Sequence, residues 1–239
     1  KSKKAKMSSY ETLPKRDVLA RGPIQAADWS PYIDNGGTVM AIGGKDFVII
    51  GGDTRISDGS YGIHTRNGTK ICQVAESCVI ASSGQQAERL FLWKRLQDQA
   101  KRYRFECNEN ISAQSMAQYL SNTLYFRRFY PIYTFNILAG MHEGKGGVWI
   151  YDAIGSYELV PYGVTGSASA LMTSVLDNQV LFQSQQKNFK ELTLDETLIL
   201  FKDVFVGASE RDIYTGDAVE YAIITNDGIQ FDRFDLHKD

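Results

Sequence analysis

The chain has 239 residues, of which 43% are hydrophobic, 23% charged and 12% aromatic, and its net charge is −2. That composition excludes an intrinsically disordered chain, and the length suits a single α/β or sandwich domain with a core of ordinary size. No apolar run approaches the roughly 20 residues of a membrane span, and the basic start "KSKKAK" leads into "MSSYETLPKRD", which lacks the apolar stretch of a signal peptide.

Residues 1–16 carry six Lys or Arg against Glu11 alone, a net of +5, which leaves −7 for the remainder. With Pro14, Gly22 and Pro23 and little apolar periodicity, residues 1–27 read as an extension with a solvated basic tail, and a folded domain is expected over 28–239. Order begins near "AADWSPYIDNGG", where Trp29 and Tyr32 are large enough to anchor the chain.

From Gly37 the pattern is one short β-rich run after another: Gly37–Ile42, Phe47–Gly52, a pair around Tyr61–Thr65 and Lys70–Val74, and "SCVIASSG" from Ser77. The period then becomes helical. One stripe runs through Ala87, Leu90, Phe91, Leu96, Ala100 and Tyr103, and a second through Ala113, Met116, Ala117, Leu120 and Leu124. Strands return at Tyr133–Gly140, Gly146–Asp152 and Tyr157–Tyr162. Helical spacing resumes at Ala168, Leu171, Met172, Val175 and Leu176, then at Leu194, Leu198, Phe201, Phe205 and Ala208, the last opening with a Thr193–Glu196 capping box. "VEYAIIT", an Asn226-Asp227-Gly228 turn and "IQFDRF" close the chain as a hairpin.

Strands, two helices, strands, two helices and strands do not suit a parallel βαβ wind, whose elements alternate one by one. Two-sided apolar strands such as "FVII" and "YAII" call for two sheets packed face to face, each covered outside by a helix pair. The expected fold is therefore α+β, a four-layer α-β-β-α sandwich.

Cys72, Cys78 and Cys107 are odd in number and lack metal-ligand spacing, which argues against a disulfide framework and for a reducing compartment. The triplets at Asn67 and Asn110 then read as chance glycosylation matches. His64, His142 and His237 are scattered, so no metal centre is expected. "TGSAS" at 165–169 fits an anion cradle at a helix N-terminus or plain capping chemistry.

Five separated motifs, in order, carry a resemblance: "NGGTVMAIGG", "GGDTR", "TK" at 69–70, "GSAS" and "RDIYTGD". Together they resemble a β-type subunit of the 20S proteasome core, from about residue 28 onward. "SPYIDNGGTVMAIGG", "IHTR", "FRRFYP", "VLDNQV" and "ERDIYTGDA" are most similar to the sixth β-type position, one of those without proteolytic activity. The resemblance implies the four-layer sandwich of the N-terminal nucleophile hydrolases. In active members an N-terminal threonine hydroxyl is the nucleophile and its own α-amine, with an ordinary pKa of about 7.7–8.0, takes the proton.

Carried over by position, the supporting aspartate is Asp53, the lysine Lys70 with one extra residue in the loop before it, the serine Ser167 and the second aspartate Asp212. Thr215 takes the place of a nearby serine. The nucleophile does not carry over, because the position sixteen residues before Asp53 is Gly37. Thr38 is one residue further on and, by strand alternation, points to the opposite face. Asp53 and Lys70 are then expected as a buried structural pair.

The implied role is structural and non-catalytic, in ubiquitin- and ATP-dependent protein degradation, with no cofactor. Implied partners are two neighbouring β subunits, an α-ring subunit, a β subunit of the opposite ring and assembly chaperones, with no nucleic acid and no membrane, in cytoplasm and nucleus. The extension resembles a propeptide cut between Ile24 and Trp29. Two other readings are a hydrolase that cleaves itself at Gly37-Thr38 and works through Thr38, and a free sandwich that binds nucleic acid through its basic arm.

Overall fold

The computed structural model describes residues 30–181 and 191–237; Trp29, the extension and its expected cut lie outside them. Strands β1 (Thr38–Gly43) and β2 (Phe47–Asp53) form the first hairpin, with Val39 opposite Gly52. Gly37 falls just outside β1 because its φ of +84° is not a strand conformation.

The small strands β3 (Ile56–Ser57) and β4 (Ile63–Thr65) pair only with each other. Next come β5 (Ile71–Ala75), β6 (Cys78–Gly84), β7 (Thr134–His142), β8 (Lys145–Tyr151) and β9 (Tyr157–Val160), which form one antiparallel sheet in that order. Strand β10 (Tyr162–Gly166) belongs to the other sheet, whose order is β10-β1-β2-β11-β12, with β11 (Ala218–Thr225) and β12 (Gly228–Asp235). The single strand expected at Tyr157–Tyr162 is thus two. Pro161 has no N–H for a ladder and marks the point where the chain leaves one sheet and enters the other.

Among the described residues the helices are α1 (Gln86–Cys107), α2 (Ala113–Tyr125), α3 (Ser169–Gln179) and α4 (Leu194–Ser209). Each start or stop has a local cause. The hydroxyl of Ser112 caps α2 by accepting from Ser115 N–H at 3.1 Å, and α1 stops at Asn108, whose left-handed φ of 56° turns the chain. The Thr193–Glu196 box forms at α4, where Glu196 N–H donates to Thr193 Oγ1 and Thr193 N–H to Glu196 Oε2. The N-cap of α3, Ala168, has no side chain able to cap.

Alternation along β1 sorts its residues between two cores. Val39 and Ala41 pack with Val48, Ile50, Val79 and Ile137 between the sheets. Met40 and Ile42 pack outward with Ile49 against Met172 and Leu176 of α3 and Phe201 and Phe205 of α4. The second sheet is covered by Leu92, Trp93 and Leu96 of α1 and Met116, Ala117 and Leu120 of α2. This is the α-β-β-α sandwich, and Tyr32–Asp239 make one compact unit. Truncating one of its buried rings, for instance Phe201→Ala, would cost about 3–5 kcal/mol.

The expected face of α1 needs correcting. Its buried residues are Arg89, Leu92, Trp93 and Leu96, while Leu90 and Phe91 lie exposed. An arginine on the buried stripe hides the true helical period and turns the apparent one toward solvent. On α3 likewise, Leu171 and Val175 of the expected stripe are exposed and only Ala168, Met172 and Leu176 are buried.

Candidate functional site

Asp53 ends β2 and Lys70 lies just before β5, and both side chains are wholly buried, with Lys70 Nζ 3.0 Å from Asp53 Oδ2. The ammonium also donates to the carbonyl of Asp53 at 3.1 Å and to that of Arg55. Three acceptors match its three protons. Asp53 accepts from Thr38 N–H at 2.7 Å through Oδ1, and from Arg55 N–H and Gly216 N–H through Oδ2. Burial pushes the Asp53 carboxyl up and the Lys70 ammonium down from their ordinary values, and each pulls the other part of the way back.

Ser167 ends the loop between β10 and α3, and Asp212 and Thr215 follow α4. Ser167 hydroxyl donates to Asp212 Oδ2 at 2.5 Å and Thr215 hydroxyl to the same oxygen at 2.6 Å. Thr38 Oγ1 lies 2.8 Å from Thr215 Oγ1 and accepts from Ala168 N–H at 2.9 Å. Because the proton of Thr215 goes to the carboxylate, the proton of Thr38 is the one shared between the two threonines. The hydroxyl of Thr38, 130 residues away in sequence, thus satisfies the buried N–H of Ala168 where the chain enters α3.

The carried-over residues thus fall into two groups on opposite faces of β1. Asp53 and Lys70 lie on the inter-sheet side, beneath Gly37. Ser167, Asp212 and Thr215 lie on the helix side, around Thr38. A Cβ added to Gly37 would meet Lys70 Cε at 2.2 Å and Asp53 Oδ1 at 2.8 Å, so Gly37 is the residue that faces the buried pair. Thr38 is fully buried. The cleft of about 450 Å³ beside this region is lined by Ser83, Gly84, Thr165 and Ser167, and by neither residue 37 nor residue 38.

Two features escaped the sequence reading. Asp217, within the quoted "YTGDA", is clamped by Arg55 at 2.8 Å and Arg66 at 2.5 Å. Burial disfavours its charge, but the two guanidinium groups more than offset this and hold its carboxyl below the ordinary value. Arg89 is fully buried over the face of Trp93, with only its Nη1 bonded, to the carbonyl of Ser82. Its spacing of three, four and seven from Leu92, Trp93 and Leu96 was the available signal. Among the described residues no group of three His, Cys, Asp or Glu could hold a metal, and no helix is long and apolar enough to cross a membrane.

A family model described as "Proteasome subunit" matches residues 33–224. The chain is 44% identical over 230 residues to proteasome subunit beta type-1 of Dictyostelium discoideum, covering 95% of this chain and 97% of that one. The chain belongs to the proteasome β-subunit family. Its relatives include proteasome subunit beta type-1 of Arabidopsis thaliana, 48% identical over 221 residues, with 90% of this chain and 99% of that one covered. Proteasome subunit beta type-6 of Saccharomyces cerevisiae is 37% identical over 223 residues, with 88% and 92% covered. Proteasome β subunits assemble into the multi-subunit core of a threonine-type protease, and the buried pair and the hydroxyl group described above belong to one such subunit.

Proposed function

We propose that this chain is a non-catalytic β subunit of the 20S core, whose work is to complete the β ring and wall the proteolytic chamber. The observation that carries this reading is Gly37. The one position that faces Asp53 and Lys70 has no side chain, and the space is filled by the lysine itself. Thr38 makes a poor substitute: its hydroxyl is buried on the helix side of β1, accepting from Ala168 N–H, on the opposite face from Asp53 and Lys70. Asp53, Lys70, Ser167, Asp212 and Thr215 are then retained because they hold the strand, the loop and the helix together.

The subunit then takes the sixth β-type position, which the motifs "VLDNQV" and "ERDIYTGDA" support and with which the yeast relative named beta type-6 agrees. In this reading the subunit touches two neighbouring β subunits, an α-ring subunit and a β subunit of the opposite ring. Chaperones guide its assembly in cytoplasm and nucleus, and residues 1–27 are a propeptide.

The alternative is a hydrolase that cleaves itself before Thr38. One measurement separates the two: the intact mass of this chain from gently purified native complex, before and after an electrophile that traps N-terminal threonine. A chain beginning upstream of Gly37 that gains no mass, while other subunits of the particle react, is the expected result. A chain beginning at Thr38 that gains one probe would overturn the proposal.

A further inference from the structure

Residues 32–36, just before Gly37, are built into the domain. Asn35 bonds through its backbone N–H and carbonyl and through both ends of its carboxamide. Its N–H donates to the carbonyl of Gly84 at 3.3 Å, and its carbonyl accepts from Ser57 N–H at 3.0 Å. Its Nδ2 donates to the carbonyl of Ser57 at 2.8 Å, and its Oδ1 accepts from Gln86 N–H, at the start of α1, at 2.8 Å. Tyr32 packs on Tyr133 at 5.4 Å, and its hydroxyl donates to the carbonyl of Pro131 at 2.8 Å.

That clamp fixes Asp34 as one wall of the cleft of about 450 Å³, whose other walls include Tyr133, Phe135, Ser169 and the small Gly84 and Gly166. Among the described residues that line the cleft, Asp34 alone is charged. Its Oδ1 accepts from Gly36 N–H at 2.9 Å. Its Oδ2 has no partner among the described residues, nor have the hydroxyls of Tyr133 and Ser169, and Asp34 forms no ion pair there. Burial, and then the charge of Asp34, push the Tyr133 hydroxyl above its ordinary value, so the carboxylate and the ring stand close together.

We propose that this cleft is a binding site for an alkyl cation, the charged nitrogen on an aliphatic stem that a lysine or arginine side chain and a free polyamine share. The unpaired carboxylate attracts the head, the faces of Tyr133 and Phe135 favour a cation over them, and the stem lies along apolar ring surface. An anion fits less well, although the N-terminus of α3 is near. The negative charge that such a terminus attracts is already supplied by Asp212, which accepts from the Ser167 hydroxyl. Because Asn35 holds this stretch of chain before a ligand arrives, little ordering remains to oppose binding. The inference rests on the reading that the chain is kept upstream of Gly37, since a cut before Gly37 or Thr38 would remove Asp34 and the site with it.

The test irradiates gently purified core particles, their active threonines blocked, with an arginine amide bearing a diazirine and with its citrulline counterpart, which has the same shape and no charge. The arginine probe is expected to label this chain within residues 133–135 or 165–169, and labelling should be about threefold weaker with citrulline or in Asp34→Asn. The asparagine keeps an acceptor for Gly36 N–H, and if that variant fails to assemble the citrulline comparison decides alone. Equal labelling by the two probes, labelling confined to other residues, or labelling unchanged by Asp34→Asn would each overturn the inference. Spermidine and Nα-acetyl-lysine amide then serve as competitors. Stronger displacement by spermidine assigns the site to free polyamines, stronger displacement by the lysine amide assigns it to basic peptide side chains, and displacement by neither also overturns it. The intact mass of the chain separates the two levels: a chain that begins after Asp34 ends the reading of an uncut subunit, whereas one that keeps Asp34 and takes no label ends only the site.

Discussion

Lys70 stands where a side chain on residue 37 would have to go: a Cβ built on Gly37 falls 2.3 Å from Lys70 Nζ. The amine cannot simply swing aside, because two carbonyls and a carboxylate hold it. Any side chain at residue 37 would thus have to displace a buried amine that is held on three sides.

Gly37→Thr is accordingly expected to restore no threonine-type activity. The backbone at φ +84° would cost a β-branched residue about 1–3 kcal/mol even before Lys70 is displaced. The variant should melt below the wild type and stay unlabelled by hydroxyl-directed electrophiles; a labelled residue 37 would show that the lysine yields.

Lys70→Met leaves the carboxylate of Asp53 buried without its counter-ion and should cost about 3–5 kcal/mol in urea unfolding. Asp53→Asn alone strands the ammonium in the same way. The double variant should lose clearly less than the sum of the two, and strict additivity would mean the pair is not coupled.

Thr38→Val should cost about 1–3 kcal/mol, since it leaves the buried Ala168 N–H at the start of α3 without its acceptor. Thr38→Ser keeps the hydroxyl and should recover most of that. Hydrogen exchange at Ala168 gives a local readout: it should quicken in the valine variant and not in the serine variant.

Asp217 makes stability depend on acid. Its native carboxyl titrates below its ordinary value, so its contribution is complete above about pH 4 and is lost as the pH falls through the native value. Asp217→Asn should therefore be less stable than wild type at neutral pH, with a shallower decline of stability below pH 4. Parallel acid limbs for the two proteins would contradict the clamp.

Arg89→Met is expected to be neutral or stabilising. Nε and Nη2 of this buried guanidinium have no hydrogen-bond partner, and burial pushes its pKa down to about 10. Replacing a poorly matched buried charge with an apolar chain of similar length removes a desolvation cost. A drop of more than about 1 kcal/mol in urea unfolding would point to a stronger partner than Trp93 and Ser82.

The layers of this fold were legible because turn residues and changes of period lie close together in sequence. The helix pairs, the Thr193–Glu196 cap and the Asn226–Gly228 hairpin all follow from neighbours within a few residues. The sheet change at Pro161 was not legible, since "YELVPYGVTG" reads the same whether its halves share a sheet or not. At the site, alternation was enough to separate residue 37 from residue 38. What Thr38 touches was not, because its bond to Thr215 spans 177 residues, and only the packed layers bring those two together.

Strand β2 lies between β1, which precedes it directly, and β11, where Val219 faces Asp53. The sheet begun by the first hairpin is therefore finished only by the last two strands. During synthesis one edge of β2 keeps its N–H and C=O groups open until residues near 225 have emerged, a long wait for a strand as apolar as "FVII". Pairings of such high sequence separation form slowly and leave sticky intermediates. The nascent chain is thus exposed to misassembly until β11 has emerged, and a variant weakened in β11 should betray itself in yield before it does so in melting temperature.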